Sequence, residues 1–161
     1  MQIKPIQNEY ENEIVDLILN IQQKEFNVPI TLEDQPDLLN IQNFYFKSGG
    51  TFLGAFIDGK LVGTIALVKF SPEAAAIRKM FVKKEFRGKE FQIAQQLLEQ
   101  LIEYSKENGI KDLYLGTVTL LQAALRFYEK NSFVTIPKDA LPVDFPLMKP
   151  DNVFCHLNLN P

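Results

Sequence analysis

Along the first third of the chain the apolar residues fall at strand and helix periods in turn. Ile3 and Ile6 lie in a short segment, 2–7, whose Pro5 has no N–H for a sheet ladder, so it reads as an edge strand. Ile14, Leu17, Ile18 and Ile21 repeat at three- and four-residue steps and predict an amphipathic helix over 10–23. Residues 26–37 carry Pro29 and Pro36 and read as a loop, with Asp37 placed to cap a further helix over 38–46. Ser48-Gly49-Gly50 then breaks the chain. Strands follow at 51–57 and 61–70, joined by Asp58-Gly59, the strongest hairpin signal in the sequence.

The stretch 76–98 organises the remainder. Ile77, Met80, Phe81 and Val82 make its first part a buried strand that stops where the charges begin. Ala94, Leu97, Leu98, Leu101, Ile102 and Ser105 share one face of a helix lasting to about Asn108. Between them lies a turn with Arg87, Gly88 and Lys89. A strand that enters a helix through such a turn presents free backbone N–H groups and the positive end of the helix dipole, so with two cations added it is a candidate anion site. Beyond it a strand is predicted at 112–116, a helix from 121, a strand at 133–136 and a last, alternating strand at 153–159. Residues 137–150 are proline-rich and without period. They form either a wall or lid of a substrate site, or a crossover packing Leu141, Phe145 and Leu147 on the sheet.

Composition narrows the function. The 161 residues are 46% hydrophobic and 23% charged, as expected of one globular domain, 1–161, with a substantial core. A net charge of −3 provides no field to hold a polyanion, so nucleic acid is not an expected partner and any anion site must be local. The N-terminal Met-Gln-Ile-Lys-Pro lacks the apolar run of a signal peptide, and no stretch is long enough to span a bilayer, so no membrane partner is expected. Cys155 is the single thiol and cannot form an internal disulfide, which makes a reducing cytoplasm the simplest compartment.

The order strand, turn, helix, strand at 76–116, followed by Leu121-Gln-Ala-Ala-Leu-Arg-Phe-Tyr-Glu-Lys-Asn-Ser-Phe133, resembles the GNAT family of acetyl-CoA-dependent N-acyltransferases over roughly 53–133. In that family the turn carries Gln/Arg-x-x-Gly-x-Gly/Ala, and a later Ala-x-x-x-Tyr-x-x-x-Gly-Phe supplies a tyrosine. Here the first motif becomes Lys89-Glu-Phe-Gln92-Ile-Ala94, a turn about two residues longer than usual, with Gln92 at the closest backbone approach. The resemblance implies an α/β fold: a mixed, mostly antiparallel sheet with helices on both faces, splayed in the middle for the cofactor. It places acetyl-CoA on Met80, Phe81 and Val82 and on Arg87, Gly88, Lys89, Gln92, Ile93, Ala94 and Gln95. The pantetheine arm would extend the sheet at Met80 and Val82, and the N–H of Met80 or Phe81 would meet the oxyanion.

The implied reaction is transfer of an acetyl group to a primary amine, in the first place that of a small molecule, with Tyr128 as general acid; the alternatives are a protein or peptide acceptor, or an acyl-CoA-binding regulatory domain without turnover. A homodimer is left open. The family's strand glutamate has Ala76 in its place, which leaves Glu73, Glu25, Asp34, Asp37, His156 or a water relay as the base. Glu33, Asp34 and Asp37 lack the spacing and histidines of a metal site, so no metal is expected. Cys155 reads as a small buried apolar residue, and Phe26, Phe44 and Tyr45 as walls of an acceptor pocket.

Overall fold

The computed structural model describes residues 1–119 and 121–160. Seven strands form one sheet: β1 (Gln2–Pro5), β2 (Thr51–Ile57), β3 (Lys60–Lys69), β4 (Ala74–Val82), β5 (Asp112–Thr117), β6 (Val134–Ile136) and β7 (Val153–Asn158). They lie in the order β1-β2-β3-β4-β5-β7-β6. Among the described residues only β4 and β5 pair in parallel, and the other ladders are antiparallel. The Asp58-Gly59 hairpin forms as read, with φ of +52° and +76° at its two turn residues, the signature of a tight turn that matches strand twist.

Three α-helices cover the sheet: α1 (Glu11–Leu19), α2 (Ile93–Glu107) and α3 (Gln122–Lys130). Strand alternation divides the apolar residues between two faces. Phe52 and Phe56 of β2 pack with Ile14, Leu17 and Ile18 of α1. Leu53 and Ala55 pack with Leu97, Leu98 and Leu101 of α2 on the other face. The core is therefore split into two layers, one on either side of a single sheet.

Two helical expectations need correction. The helix expected over 10–23 is regular only from Glu11 to Leu19 and then widens into a π-helical turn, Asn20–Glu25. No α-helix occupies 38–46. A 3-10 turn at Pro36–Leu39 and a π-helical turn at Gln42–Phe46 take its place. Asp37, expected to cap that helix, is 4% exposed and makes tertiary contacts instead. Its carboxylate accepts from the Tyr45 hydroxyl at 2.5 Å and lies 3.5 Å from the Lys79 ammonium.

That pair is buried on both sides, and Gln35 joins it: its Oε1 accepts from Lys79 and its amide exchanges hydrogen bonds with Gln22 at 2.9 and 3.2 Å. Burial pulls the Lys79 ammonium down to about 8 against the opposing pull of Asp37. Removing one partner of such a pair leaves the other charge uncompensated. Asp37→Ala is expected to destabilise the fold by about 3–5 kcal/mol, the usual cost of breaking a buried pair. Urea denaturation checks this, and a loss below about 1 kcal/mol, the range of an exposed pair, would show that the ammonium finds other solvation.

Candidate functional site

Pairing between β4 and β5 ends early. Their register runs from Ala74 opposite Asp112 to Ile77 opposite Leu115 and no further, although β4 continues to Val82 and β5 to Thr117. On the other side of β4 the register slips, so that Lys79 and Met80 together face Ile65 of β3. Lys79 takes φ +54° there, a left-handed conformation that costs a non-glycine residue about 1–2 kcal/mol. Thr64 Oγ1 donates to the Lys79 carbonyl at 2.6 Å and fixes it. A bulge of this kind bends and twists its strand, which turns residues 78–82 away from β5. The Lys83 N–H bonds Val62 O at 2.9 Å; by alternation Phe81 also faces β3, while Met80 and Val82 direct their backbone at the gap. Between Met80 and Phe81, offered equally by the sequence as oxyanion donors, the alternation favours Met80.

A cavity of about 110 Å³ opens at the gap. Ile77, Arg78, Lys79, Met80 and Phe81 form one wall and Leu115, Gly116, Thr117 and Val118 another. Gln22, Phe26, Val28 and Ile30 close it from the early segment, and Phe145, Met148, Pro150 and Asp151 from the segment before β7. Tyr128 of α3 stands in the lining, 4% exposed, with its ring edge-on to Phe133 at 5.3 Å. Its hydroxyl has no hydrogen-bond partner among the described residues. Burial first, and Cys155 second, hold the phenol well above its ordinary range, so it enters neutral pH as a donor.

Asp151, absent from the sequence-based candidates, also lines the cavity. The loop bearing it is clipped to β5, with Asn152 N–H on Thr117 O at 2.9 Å. Gly116 permits this approach, because a Cβ there would collide with Asp151 Oδ2. The carboxylate accepts no hydrogen bond from a described residue, and burial raises it to about 6 although Arg78 and Lys79 pull the other way. Nothing about a lone acid just after a proline-rich stretch marks it in the sequence.

The predicted turn residues line a second cleft, of about 420 Å³, at the other end of the gap. Val82, Arg87, Gly88, Lys89, Gln92, Ile93, Ala94 and Gln95 border it, joined by Lys130 and Asn131 from the end of α3. Gln92 takes φ +54° as the N-cap of α2 without a side-chain cap, so the first N–H groups of that helix point outward. The position expected to need a glycine conformation does adopt one. Arg87 plays a different part. Its Nε donates to Val82 O at 2.8 Å, its guanidinium makes a two-point pair with Glu25, and it lies over the Phe26 ring. The cation is committed to bracing the turn against the early segment. Lys89 and Lys130 make no ion pair among the described residues.

None of the acids proposed as base reaches the cavity. Glu73 pairs with Lys111 at 2.9 Å on the surface, and Glu25 with Arg87. Asp34 caps Thr31, whose backbone N–H lies at 3.0 Å and holds the carboxyl below its usual range. Asp37 is taken by Lys79, and His156 pairs with Asp112 at 2.8 Å while stacking on Tyr114. Phe26 walls the cavity as expected, but Phe44 is 47% exposed and Tyr45 is sealed in the α1 core. Cys155 is buried, and burial raises its thiol. Within 137–150, Phe145 packs on Ala76 and Phe154 and Met148 and Pro150 line the cavity, while Leu147, expected to pack on the sheet, is exposed. Among the described residues no cluster could hold a metal, and no helix is long and apolar enough to cross a membrane.

The model of the acetyltransferase (GNAT) family matches residues 15–133. A GNAT-family acetyltransferase structure from Staphylococcus aureus Mu50 superposes with a TM-score of 0.95 at 39% identity, covering 99% of both chains. An acetyltransferase from Streptococcus agalactiae superposes with a TM-score of 0.93 at 27% identity over 98% of this chain and 97% of its own. Among curated proteins, N-acetylaspartate synthetase of Danio rerio is 32% identical over 99 residues, 60% of this chain and 34% of its own length. The chain thus spans about a third of that relative.

The Asp151 carboxyl gives a pH test of the cavity. Raised to about 6 when folded against about 3.9 unfolded, it makes the folded chain bind more protons between those values. Stability contributed by this group is therefore lost as pH rises from about 4 to 6. Asp151→Asn is expected to be more stable than the parent at pH 7.5, on the order of 1–3 kcal/mol, with the advantage gone near pH 4. Denaturant curves at both pH values check this; equal stability at both would mean that the carboxylate is solvated.

Proposed function

The chain belongs to the acetyltransferase (GNAT) family, and we propose that it moves the acetyl group of acetyl-CoA to the primary amine of a small molecule by direct attack. The observation that carries this reading is the meeting of three features at one cavity: the gap edge of β4, Tyr128 and Asp151. Acetyl-CoA is the co-substrate of the family. Its pyrophosphate would rest on the open N–H groups at the start of α2 with Lys89 and Lys130, and its pantetheine amides would pair with Met80 and Val82. The thioester would then reach the cavity with its carbonyl oxygen near the Met80 N–H.

A compact acceptor suits a cavity closed by Gln22, Phe26, Val28 and Ile30 on one side and by Phe145, Met148 and Pro150 on another. The relative named N-acetylaspartate synthetase is named for a small product, which supports the same choice. The acceptor arrives as an ammonium ion, since free amines bind protons up to about pH 10. Asp151 takes one proton, the nitrogen lone pair attacks the thioester carbon, and the carbon–sulfur bond breaks. The departing thiolate accepts a hydrogen bond from Tyr128. Because burial penalises a phenolate, the phenol acts mainly by donating to the developing charge, and the proton lost from nitrogen after attack completes the free thiol. A buried thiol and a CoA-dependent reaction both accord with a cytoplasmic setting.

Tyr128→Phe tests the assignment. With no hydrogen bond to a described residue to lose, the variant is expected to keep its stability and its acetyl-CoA affinity, while kcat falls by roughly 10²-fold. The deficit should persist across the pH range in which the buried phenol keeps its proton, because the hydrogen bond acts on the developing thiolate charge and transfers no proton. Steady-state kinetics and calorimetric binding read the two effects separately. Unchanged kcat would remove Tyr128 from the chemistry.

A further inference from the structure

Arg78 stands one residue past the last β4–β5 pair and one before the bulge, on the cavity wall. Its Nε is buried and has no hydrogen-bond partner among the described residues. One terminal nitrogen touches the thioether sulfur of Met148, a weak acceptor. Among the described residues Arg78 makes no ion pair within 4.0 Å. A guanidinium cannot shed its proton, and a buried donor left unpaired costs the full desolvation of that group. Such a group marks a place that an anion fills when the site is working. Its planar fork fits a carboxylate at two points.

In the same lining Asp151 carries a carboxylate that accepts no hydrogen bond from a described residue, held there by the clip between Asn152 and Thr117 and by the absence of a side chain at Gly116. One cavity thus carries an unsatisfied cation and an unsatisfied anion that do not pair with each other. We propose that the acceptor is an amino acid or a close analogue, its carboxylate held by Arg78 and its ammonium by Asp151. This deepens the acetyl-transfer reading and rests on it. The ammonium gives one proton to Asp151, its nitrogen forms the new bond to the acetyl carbon, and the carbon–sulfur bond breaks. The second nitrogen-bound proton ends on the thiolate, so the products are an N-acetylamino acid and free CoA thiol, with one proton released. A polycation would meet Arg78 and Lys79 as like charges. An acceptor without an anionic group would leave Arg78 unpaired.

The test is a comparison of the intact protein's acetylation rates on three matched panels: the twenty amino acids, their α-amides and their decarboxylated amines. At least one amino acid is expected to exceed its amide and its amine by 10²-fold or more in kcat/KM, mostly through KM. Arg78→Gln should collapse that ratio to within a few-fold, and Arg78→Lys should restore part of it. Preferential turnover of amides, amines or spermidine by the parent protein would overturn the proposal while leaving acetyl transfer intact. Calorimetric titration of the CoA-loaded protein with the same amino acids covers the case of no turnover on any panel, in which the acetyl-transfer reading itself fails. Arg78-dependent binding of an amino acid there would still support the recognition, and absence of binding by all twenty would overturn it.

Discussion

The left-handed turn of Lys79 within β4 is the constraint from which the functional half of the molecule follows. A bulge at that residue ends pairing with β5 after Ile77 and frees the gap edge of β4. The conformation is unfavourable for lysine by about 1–2 kcal/mol, so it persists only because neighbours over-determine it. Thr64 holds the carbonyl, and Asp37 and Gln35 hold the ammonium. Asp37 and Gln35 belong to the irregular segment after α1, which also supplies Gln22, Phe26, Val28 and Ile30 to the cavity wall. Strain in one strand and irregularity in the early helices are two sides of a single arrangement.

The same logic explains why the charges are distributed as they are. A net-negative chain needs local cations for an anionic ligand, and the molecule commits some of its cations to structure. Lys79 locks the bulge and Arg87 braces the turn against Glu25 and Phe26. Arg78 in the cavity, and Lys89 and Lys130 at the second cleft, are without ion-pair partners among the described residues, and each borders a space that a ligand can enter. Structural cations and candidate binding cations are neighbours in sequence, and only the fold separates them.

Much of the fold was legible from hydrophobic period and turn chemistry. The Asp58-Gly59 hairpin, the edge strand with Pro5 and the long face of α2 are all set by local rules, and they appear as read. The absence of a helix at 38–46 was not legible, because Asp37 is bound by Lys79, more than 30 residues away, and Tyr45 is held by that carboxylate and by packing on Phe52 of β2. At the site, motif spacing led to Tyr128 and to the turn at 87–95. The missing motif glycines obscured that match, yet the backbone keeps their conformation: Gln92 has φ +54° and Ser132, before Phe133, has φ +73°. Asp151 and Arg78 were missed because their significance lies in being brought together without satisfying each other, a relation that no local pattern records.

We propose that the edge of β4 between Met80 and Val82, left unpaired by β5, receives the cofactor's amide-bearing arm. Site-resolved amide hydrogen exchange on the protein with and without acetyl-CoA tests it most directly. Exchange is expected to slow at Met80 or Val82 and at the first N–H groups of α2, residues 93–95, with Phe81 and Lys83 unchanged because they already face β3. Protection confined to α2, or unchanged exchange at Met80 and Val82 under saturating acetyl-CoA, would contradict it.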